Sequence, residues 1–163
     1  GLEPNKIEEV CQSQSGIVVT ANYNSPNQLV ISGETKAIQK TCETLKEIGA
    51  KRAVILPVSG AFHSPIMNSA KESLESAINT THFEAPVCPV YQNVCASATY
   101  DKTTLKKNLI EQLTKPVKWH QSIENMIIDG ASQFYEVGPG NVLIGLNKRI
   151  NRKILCSKAT IDN

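Results

Sequence analysis

The chain has 163 residues, of which 40% are hydrophobic, and a formal net charge of +2 at pH 7. A chain of this length folds as one domain of average size or as two small ones. No stretch of eighteen apolar residues is present and the first residues lack a basic-then-apolar leader pattern, so we predict neither a membrane span nor secretion. The small net charge gives no indication of nucleic-acid binding.

Five cysteines are scattered along the chain, and none belongs to a C-x-x-C pair. This spacing argues against a disulfide framework and against a structural zinc site. His82 and His120 likewise lack carboxylate or cysteine partners at metal-ligand spacing. We therefore predict reduced thiols, a cytoplasmic location, and neither a metal nor another cofactor.

Residues 1–60 have the element order of a small ferredoxin-like α+β sandwich, in which helices cover one face of an antiparallel sheet. Turn formers around Pro26 predict a hairpin, and Gly49 is expected to end a helix in the left-handed conformation. The predicted elements are a helix at 7–11, a strand at 17–21, a loop at 22–27, a strand at 29–32, a helix at 34–48 and a strand at 52–58.

In residues 61–163 the pattern changes to alternating helices and strands with apolar cores, which is typical of a mostly parallel α/β sheet. The predicted elements are a helix at 64–79, a strand at 89–94, a helix at 101–113, a helix after Pro116, a strand at 133–137 and a last helix that carries Val142, Leu146 and Ile150. Two helices are expected to bury apolar side chains: Met67, Ala70, Leu74, Ala77 and Ile78 in the first, and Trp119, Ile123, Met126 and Ile127 in the one after Pro116.

This second part offers only about two clear strands, which is fewer than a parallel sheet needs. An open parallel edge promotes aggregation. We therefore infer that these elements complete a sheet that begins before Gly1 or on another chain.

His63 stands where the predicted strand at 52–58 gives way to a helix. Ser64 is expected to cap that helix, and Pro65 fits its first position. Amide dipoles at a helix N-terminus disfavour a charged imidazolium, so we expect a neutral ring that can accept a proton. These features predict that His63 is a general base.

The chain lacks the G-x-S-x-G elbow that carries the usual partner of such a base. Ser132 in the nearest match follows a helix rather than a strand, and we interpret it as a turn residue. A cysteine nucleophile activated by His63 stays open, because such pairing is spatial. Cys88 and Cys95, however, lie on or beside a strand and not at a helix start that would lower the pKa of a thiol.

Two further motifs have both a structural and a functional interpretation. Gly138-Pro139-Gly140 is interpreted as a strand-to-helix turn rather than a phosphate cradle, since the proline removes an amide and Leu143 replaces a small residue. Basic residues near the C-terminus and the pair Lys51-Arg52 form either a solvated face or a surface that steers an acidic partner. The C-terminal residues are Lys148, Arg149, Arg152, Lys153 and Lys158.

Five motifs in register resemble the malonyl-CoA:acyl carrier protein transacylases, the acyltransferases of fatty-acid synthesis. The resemblance covers nearly all of the chain and corresponds to the C-terminal half of that family. The motifs are Ala21 to Gln28 (ANYNSPNQ), Gly49 to Arg52 (GAKR), Gly60 to Ser64 (GAFHS), Gln112 to Trp119 (QLTKPVKW) and Glu136 to Leu143 (EVGPGNVL).

The resemblance implies an α/β-hydrolase-like core interrupted by a ferredoxin-like subdomain, with the active site in the cleft between them. It also implies that the serine elbow, the oxyanion loop and the arginine that binds the malonyl carboxylate belong to a missing N-terminal half. The expected partners are therefore that half, malonyl-CoA and acyl carrier protein, and this chain alone is expected to be inactive.

The resemblance also implies a role for individual residues. His63 matches the histidine that deprotonates the serine and then the phosphopantetheine thiol, and Gln112 matches the residue whose backbone carbonyl holds the other ring nitrogen, its side chain being secondary. Phe62 matches an aromatic residue that marks selectivity for malonyl over methylmalonyl; the alternative is that Phe62 only packs in the core. Asn22 and Asn24 match residues near the cleft; the alternative is that they only stabilise the turn.

Three functions remain open from the sequence. The first is the acyltransferase, with its covalent malonyl-serine intermediate. The second is a non-catalytic half-module that binds carrier protein without performing chemistry. The third is a serine or thiol hydrolase that uses the same histidine.

Overall fold

A computed structural model describes residues 1–159 and contains six α-helices and six β-strands in that range. The helices are α1 (Pro4–Gln12), α2 (Thr35–Glu47), α3 (Asn68–Thr80), α4 (Lys102–Gln112), α5 (Trp119–Ile128) and α6 (Val142–Ile150). The strands are β1 (Val18–Ser25), β2 (Gln28–Gly33), β3 (Val90–Tyr91), β4 (Ala98–Thr99), β5 (Gln133–Glu136) and β6 (Leu155–Lys158). Residues 160–163, the end of the predicted second subdomain, lie outside the described residues.

The hairpin of β1 and β2 organises the first part of the chain, and α1 and α2 pack against it. Apolar residues from all four elements meet in one core because each helix presents one hydrophobic face to the sheet. The buried members of this core are Ile7, Cys11, Val18, Ala37 and Leu45. Gly49 follows α2 with a φ of +104°, as its predicted role at the helix end requires.

The predicted loop at 22–27 is wrong for most of its length. Strand β1 continues through Ser25, and only Pro26 and Asn27 form the turn of the hairpin. Two register shifts within β1 absorb the turn-forming residues without ending the ladder. Asn22 and Asn24 therefore lie in a strand.

The predicted strand at 52–58 is also wrong, because this apolar segment has no neighbouring strand in residues 1–159. A strand is stabilised by hydrogen bonds to a neighbour, which the local sequence does not provide. The side chains of Val54, Ile55, Leu56 and Val58 are all exposed by half or more. The third strand of the expected ferredoxin-like sheet is thus missing from the described sheet.

Helix α3 differs from its prediction in both start and burial. Ser64 caps a 3-10 turn over Pro65–Met67, and the α-helix begins only at Asn68. None of its residues is buried: Ala70 and Ala77 are exposed, and Leu74 and Ile78 are half-buried. The prediction of five buried side chains fails because, in residues 1–159, this helix packs chiefly against α4 and covers little apolar surface.

The strands of the second part are short and only partly parallel. The predicted strand at 89–94 is reduced to β3, which pairs antiparallel with β4, a strand that the sequence pattern does not indicate. The predicted strand at 133–137 is observed as β5, and it pairs in parallel with β6, which was also not predicted. Within residues 1–159 the expected parallel sheet is therefore represented by one pair of strands.

Helices α5 and α6 connect the two parts of the chain because both pack against β1. Ile123 of α5 is buried, as predicted, whereas Trp119, Met126 and Ile127 are half-buried. On α6, Leu146 is buried and Val142 is exposed. None of the helices within residues 1–159 is long and apolar enough to cross a lipid bilayer.

The contrast between Ile123 and Ile128 on the same helix gives a test of this packing. Ile123 is 1% exposed and Ile128 is 80% exposed. Replacing Ile123 by alanine should lower the free energy of unfolding in urea by about 2–5 kcal/mol, because it leaves a cavity. Ile128→Ala should change it by less than about 0.5 kcal/mol. Equal effects of the two substitutions would contradict the position of α5.

Candidate functional site

His63 lies in the bend between the exposed apolar segment and the 3-10 turn, with a φ of +59°. The left-handed region is costly for a residue with a Cβ, and strain of this kind concentrates at functional sites. His63 is half-buried, so part of the side chain remains accessible. The backbone therefore presents this imidazole in a conformation that local propensity alone disfavours.

The imidazole is held from one side by a backbone carbonyl. Its Nδ1 atom lies 2.8 Å from the carbonyl oxygen of Gln112, at the end of α4. Because a carbonyl oxygen can only accept, Nδ1 carries the proton in the neutral ring and Nε2 keeps a free lone pair. A ring in this tautomer can accept a proton at Nε2, which is the requirement for a general base.

Ser64 closes the bend that contains His63. Its side chain is fully buried, donates to the carbonyl oxygen of Ala61 at 2.6 Å and accepts from the amide of Ile66 at 3.3 Å. The predicted cap is thus confirmed, and it also ties the residues before and after His63 to each other.

Phe62 is 49% exposed, so its side chain is not packed in a core formed by residues 1–159. Its ring lies against the backbone of Gly60. A Cβ at Gly60 would lie only 2.8 Å from the tip of that ring. A side chain at position 60 would therefore clash with the Phe62 ring, which explains the glycine in this motif.

A turn after α4 brings Gln112 close to the hairpin. The Gln112 side chain donates to the carbonyl oxygens of Lys115, at 3.0 Å, and Pro116, at 3.3 Å. One residue therefore contacts His63 through its backbone and the following turn through its side chain. The turn then leads directly to the edge of β1.

Val117 joins that edge as a short parallel neighbour of β1. Its amide donates to the carbonyl of Ala21, and its carbonyl accepts from the amide of Tyr23, both at 2.8 Å. Asn22 lies between these two bonds, and Asn24 follows two residues later. Backbone pairing is nearly independent of side-chain type, so no sequence signal predicted the contact of Val117.

Tyr23 fixes the same strand to α1. Its hydroxyl donates to a carboxylate oxygen of Glu8 at 2.5 Å. Burial, together with this hydrogen bond to a negative group, raises the pKa of Tyr23 to about 12. The phenol therefore stays protonated and keeps the strand of Asn22 and Asn24 attached to the helix.

The motif Gly138-Pro139-Gly140 forms a turn before α6, as predicted. The Glu136 carboxylate accepts hydrogen bonds from the amides of Leu143 at 3.1 Å and Ile144 at 2.9 Å. A negative group thus already occupies the start of this helix. Glu136 therefore caps α6, and the Gly138-Pro139-Gly140 motif forms the turn between them.

The cysteines differ in environment. Burial raises the pKa of Cys11 to about 11. At Cys95 burial acts in the same direction, but hydrogen bonds with Ser97 and Gln92 outweigh it, so the pKa of that thiol lies below its ordinary value. No thiol of residues 1–159 is hydrogen-bonded to the His63 ring.

Other titratable residues and a surface cavity lie apart from this arrangement. His82 and His120 do have carboxylate neighbours, Glu84 at 2.5 Å and Glu124 at 3.1 Å. The first pair is almost fully exposed, and such pairs are common on surfaces. A cavity of about 400 Å³ opens between the end of α3 and the start of α4, and none of the predicted site residues lines it. The candidate functional site therefore consists of His63 and its neighbours.

Removing the Ser64 hydroxyl should loosen the bend around His63. Ser64→Ala leaves the Ala61 carbonyl and the Ile66 amide without their partner, so we expect the free energy of unfolding to fall by about 1–2 kcal/mol. Ser69→Ala, at an exposed position, is the matched control and should have little effect. Urea unfolding of both variants tests this, and equal stability of Ser64→Ala and the parent chain would contradict it.

Comparison with known proteins shows the family of the chain. Residues 1–156 match the family model described as acyl transferase domain. The chain is 41% identical to the malonyl CoA-acyl carrier protein transacylase of Staphylococcus aureus, covering 100% of this chain and 54% of that protein. It is 40% identical to the malonyl CoA-acyl carrier protein transacylase of Bacillus subtilis, covering 94% of this chain and 50% of that protein.

Solved structures agree. An acyl carrier protein S-malonyltransferase from Vibrio cholerae superposes with a TM-score of 0.94 at 38% identity, covering 99% of this chain and 54% of that one. A complex of a malonyl-transacylase with a type II polyketide acyl-carrier protein superposes with a TM-score of 0.91 at 35% identity, covering 100% of this chain and 53% of that one. The chain thus spans about half the length of the relatives it matches.

Proposed function

Because the chain belongs to the acyl transferase domain family, we propose that it supplies the general base of a malonyl-CoA:acyl carrier protein transacylase of fatty-acid biosynthesis. The observation that carries this proposal is the hydrogen bond from His63 Nδ1 to the Gln112 carbonyl, which leaves Nε2 free. The nucleophilic serine belongs to an N-terminal half that completes the enzyme, and without it the chain is inactive.

In the first step, Nε2 of His63 takes the proton of the serine hydroxyl while its oxygen attacks the thioester carbonyl of malonyl-CoA. The tetrahedral intermediate collapses with cleavage of the C–S bond, and the imidazolium returns the proton to the leaving coenzyme A thiolate. A malonyl-serine ester remains. The oxyanion is stabilised by donors from the N-terminal half.

In the second step, the same Nε2 takes the proton from the phosphopantetheine thiol of acyl carrier protein. The thiolate attacks the ester carbonyl, the C–O bond breaks, and the proton passes to the serine oxygen. Gln112 contributes by holding Nδ1, so that Nε2 remains the acceptor in both steps. No cofactor takes part.

Three residues of the chain contact the substrate in this proposal. The ring of Phe62 narrows the space beside the acyl group and so favours malonyl over methylmalonyl. Its half-exposed position beside His63 supports this role better than core packing. Asn22 and Asn24 line the cleft from the hairpin, and the pairing of Val117 around Asn22 supports that position.

The exposed apolar surface supports the proposal of a missing N-terminal half. Parallel strands are normally covered on both faces, yet Tyr135 on β5 and Leu155 on β6 are both more than half exposed. The apolar segment at 54–58 is equally uncovered. Exposed apolar surface of this extent marks an interaction site.

Acyl carrier protein is the proposed second partner. One solved relative is a complex of a malonyl-transacylase with its carrier protein. In this chain the basic residues near the C-terminus are exposed, which suits an acidic partner. They are Lys148, Arg149, Arg152, Lys153 and Lys158.

We also propose a cytoplasmic location and a division into subdomains at residues 60 and 61. The five free thiols suit a reducing compartment. The division is supported by the hydrophobic core of the hairpin unit, whose members all precede residue 51. His63 then lies immediately after the boundary, beside the cleft.

The catalytic role of His63 can be tested by completing the enzyme with the separately produced N-terminal half of the Bacillus subtilis relative. Malonyl transfer from malonyl-CoA to acyl carrier protein should appear on mixing. His63→Ala should lower its rate by about 10²–10⁴, the usual contribution of a general base. The control is His82→Ala, which removes a histidine that is 79% exposed and should retain full activity.

Two other results would replace this proposal with a different function. A folded complex without malonyl transfer would favour a non-catalytic half-module that binds carrier protein. Release of free malonate without a thiol acceptor would favour a hydrolase that uses the same histidine.

Acyl selectivity tests Phe62. Phe62→Ala should raise the ratio of methylmalonyl to malonyl transfer by about 10–100-fold, because one methyl group is worth about 1–3 kcal/mol of discrimination. The control is Phe83→Ala, which removes an aromatic ring in a cation–π contact with Lys106 and should leave the ratio unchanged. Competition between the two thioesters measures it, and an unchanged ratio in Phe62→Ala would contradict the role of the ring.

A further inference from the structure

We propose that the Gln112 side chain and Pro116 are positioning residues, which together keep the Gln112 carbonyl available to His63 and couple the hairpin to the imidazole. This inference rests on the proposed function, since it concerns how the general base is held. It assigns to the Gln112 side chain more than the secondary role that the family resemblance implies.

The first step concerns the carbonyl itself. In a continuous α-helix the Gln112 carbonyl would accept from the amide of residue 116, four positions later. That residue is Pro116, which has no N–H to donate. The amide of Lys115, which could reach the Gln112 carbonyl in a 3-10 turn, donates to the carbonyl of Glu111 at 3.0 Å. The Gln112 carbonyl is therefore left without a helical partner and accepts from His63 at 2.8 Å.

The second step concerns the direction of that carbonyl, which depends on the path of the turn. The Gln112 amide nitrogen donates to the carbonyl oxygens of both Lys115 and Pro116. These two carbonyls lie beyond the end of α4, where backbone acceptors otherwise lack partners. The side chain thus closes the turn upon the residue whose backbone carbonyl contacts His63.

The third step connects the turn to the hairpin. Val117 follows Pro116 directly and is hydrogen-bonded to β1 on both sides of Asn22. A displacement of the hairpin is thereby passed through the turn to the Gln112 carbonyl and to Nδ1 of His63. The strand that carries a proposed substrate residue and the proposed base are linked by five consecutive residues, 113–117.

Loss of this support should affect the chemical steps more than substrate binding. If the carbonyl shifts, Nδ1 loses its acceptor, and the ring populates the tautomer with the proton on Nε2. That tautomer cannot take a proton from serine or thiol. The expected signature is a lower kcat with an unchanged KM for malonyl-CoA.

The experiment uses the enzyme completed with the N-terminal half and compares Gln112→Met, Pro116→Ala and Gln39→Met. Methionine preserves the length of the side chain and removes both donors, whereas alanine at 116 introduces an amide that competes for the Gln112 carbonyl. Gln39 is exposed on α2, so Gln39→Met controls for the chemical change. Long-range ¹H–¹⁵N spectra of the His63 ring report the tautomer.

We expect kcat to fall about 10-fold in both Gln112→Met and Pro116→Ala, a fraction of the full effect of a general base. The KM for malonyl-CoA should stay within about twofold, and the signal of the Nε2-protonated ring should increase. Gln39→Met should match the parent enzyme in all three respects. The two substitutions disturb the turn independently, so one remains informative if the other fails to fold.

The result that overturns the inference is a His63 spectrum and a kcat unchanged in both variants while His63→Ala still abolishes transfer. A fall in kcat with an unaltered tautomer would also overturn it, because the effect would then be structural only. If instead His63→Ala retains activity, the proposed function itself fails. These outcomes distinguish the two proposals.

Discussion

The hydrogen bond between Nδ1 of His63 and the carbonyl of Gln112 is the interaction on which the functional interpretation depends. It joins the strained bend at His63 to the end of α4, and it determines which ring nitrogen can accept a proton. Ser64 holds the bend on one side, and the turn at 112–117 holds the carbonyl on the other. The proposed proton transfer at Nε2 relies on this arrangement.

The helix ends of this fold could be predicted from local sequence. Ser64 and Pro65 indicate a helix start, and Gly49 indicates a helix end, because caps depend on the conformational preferences of single residues. The motif around Gln112 indicated its contact with His63 only through family resemblance. The spacing of Gln112 and Pro116 carries a physical signal of this contact, because a proline four residues after a helical residue leaves the carbonyl of that residue without its helical donor.

The errors have a common cause, which is dependence on parts of the fold that are distant in sequence. The segment at 52–58 has a strand-like composition but lacks a neighbouring strand in residues 1–159, and α3 lacks a surface to cover its apolar face. Strand β6 was missed because its ladder with β5 is defined by pairing, while its own residues are mostly exposed. The chain spans about half the length of its relatives. Such errors are expected here, because local sequence patterns predict elements whose packing partners belong to the other half.

The most direct measurement is a crystal structure of the chain bound to the N-terminal half of a relative. The account predicts that the hydroxyl oxygen of the elbow serine lies within about 3.2 Å of Nε2 of His63, the reach of a general base. It also predicts that Nδ1 remains bonded to the Gln112 carbonyl. A complex in which Nε2 faces the protein interior, or in which no hydroxyl or thiol lies within reach of it, would contradict the assignment of His63 as the base.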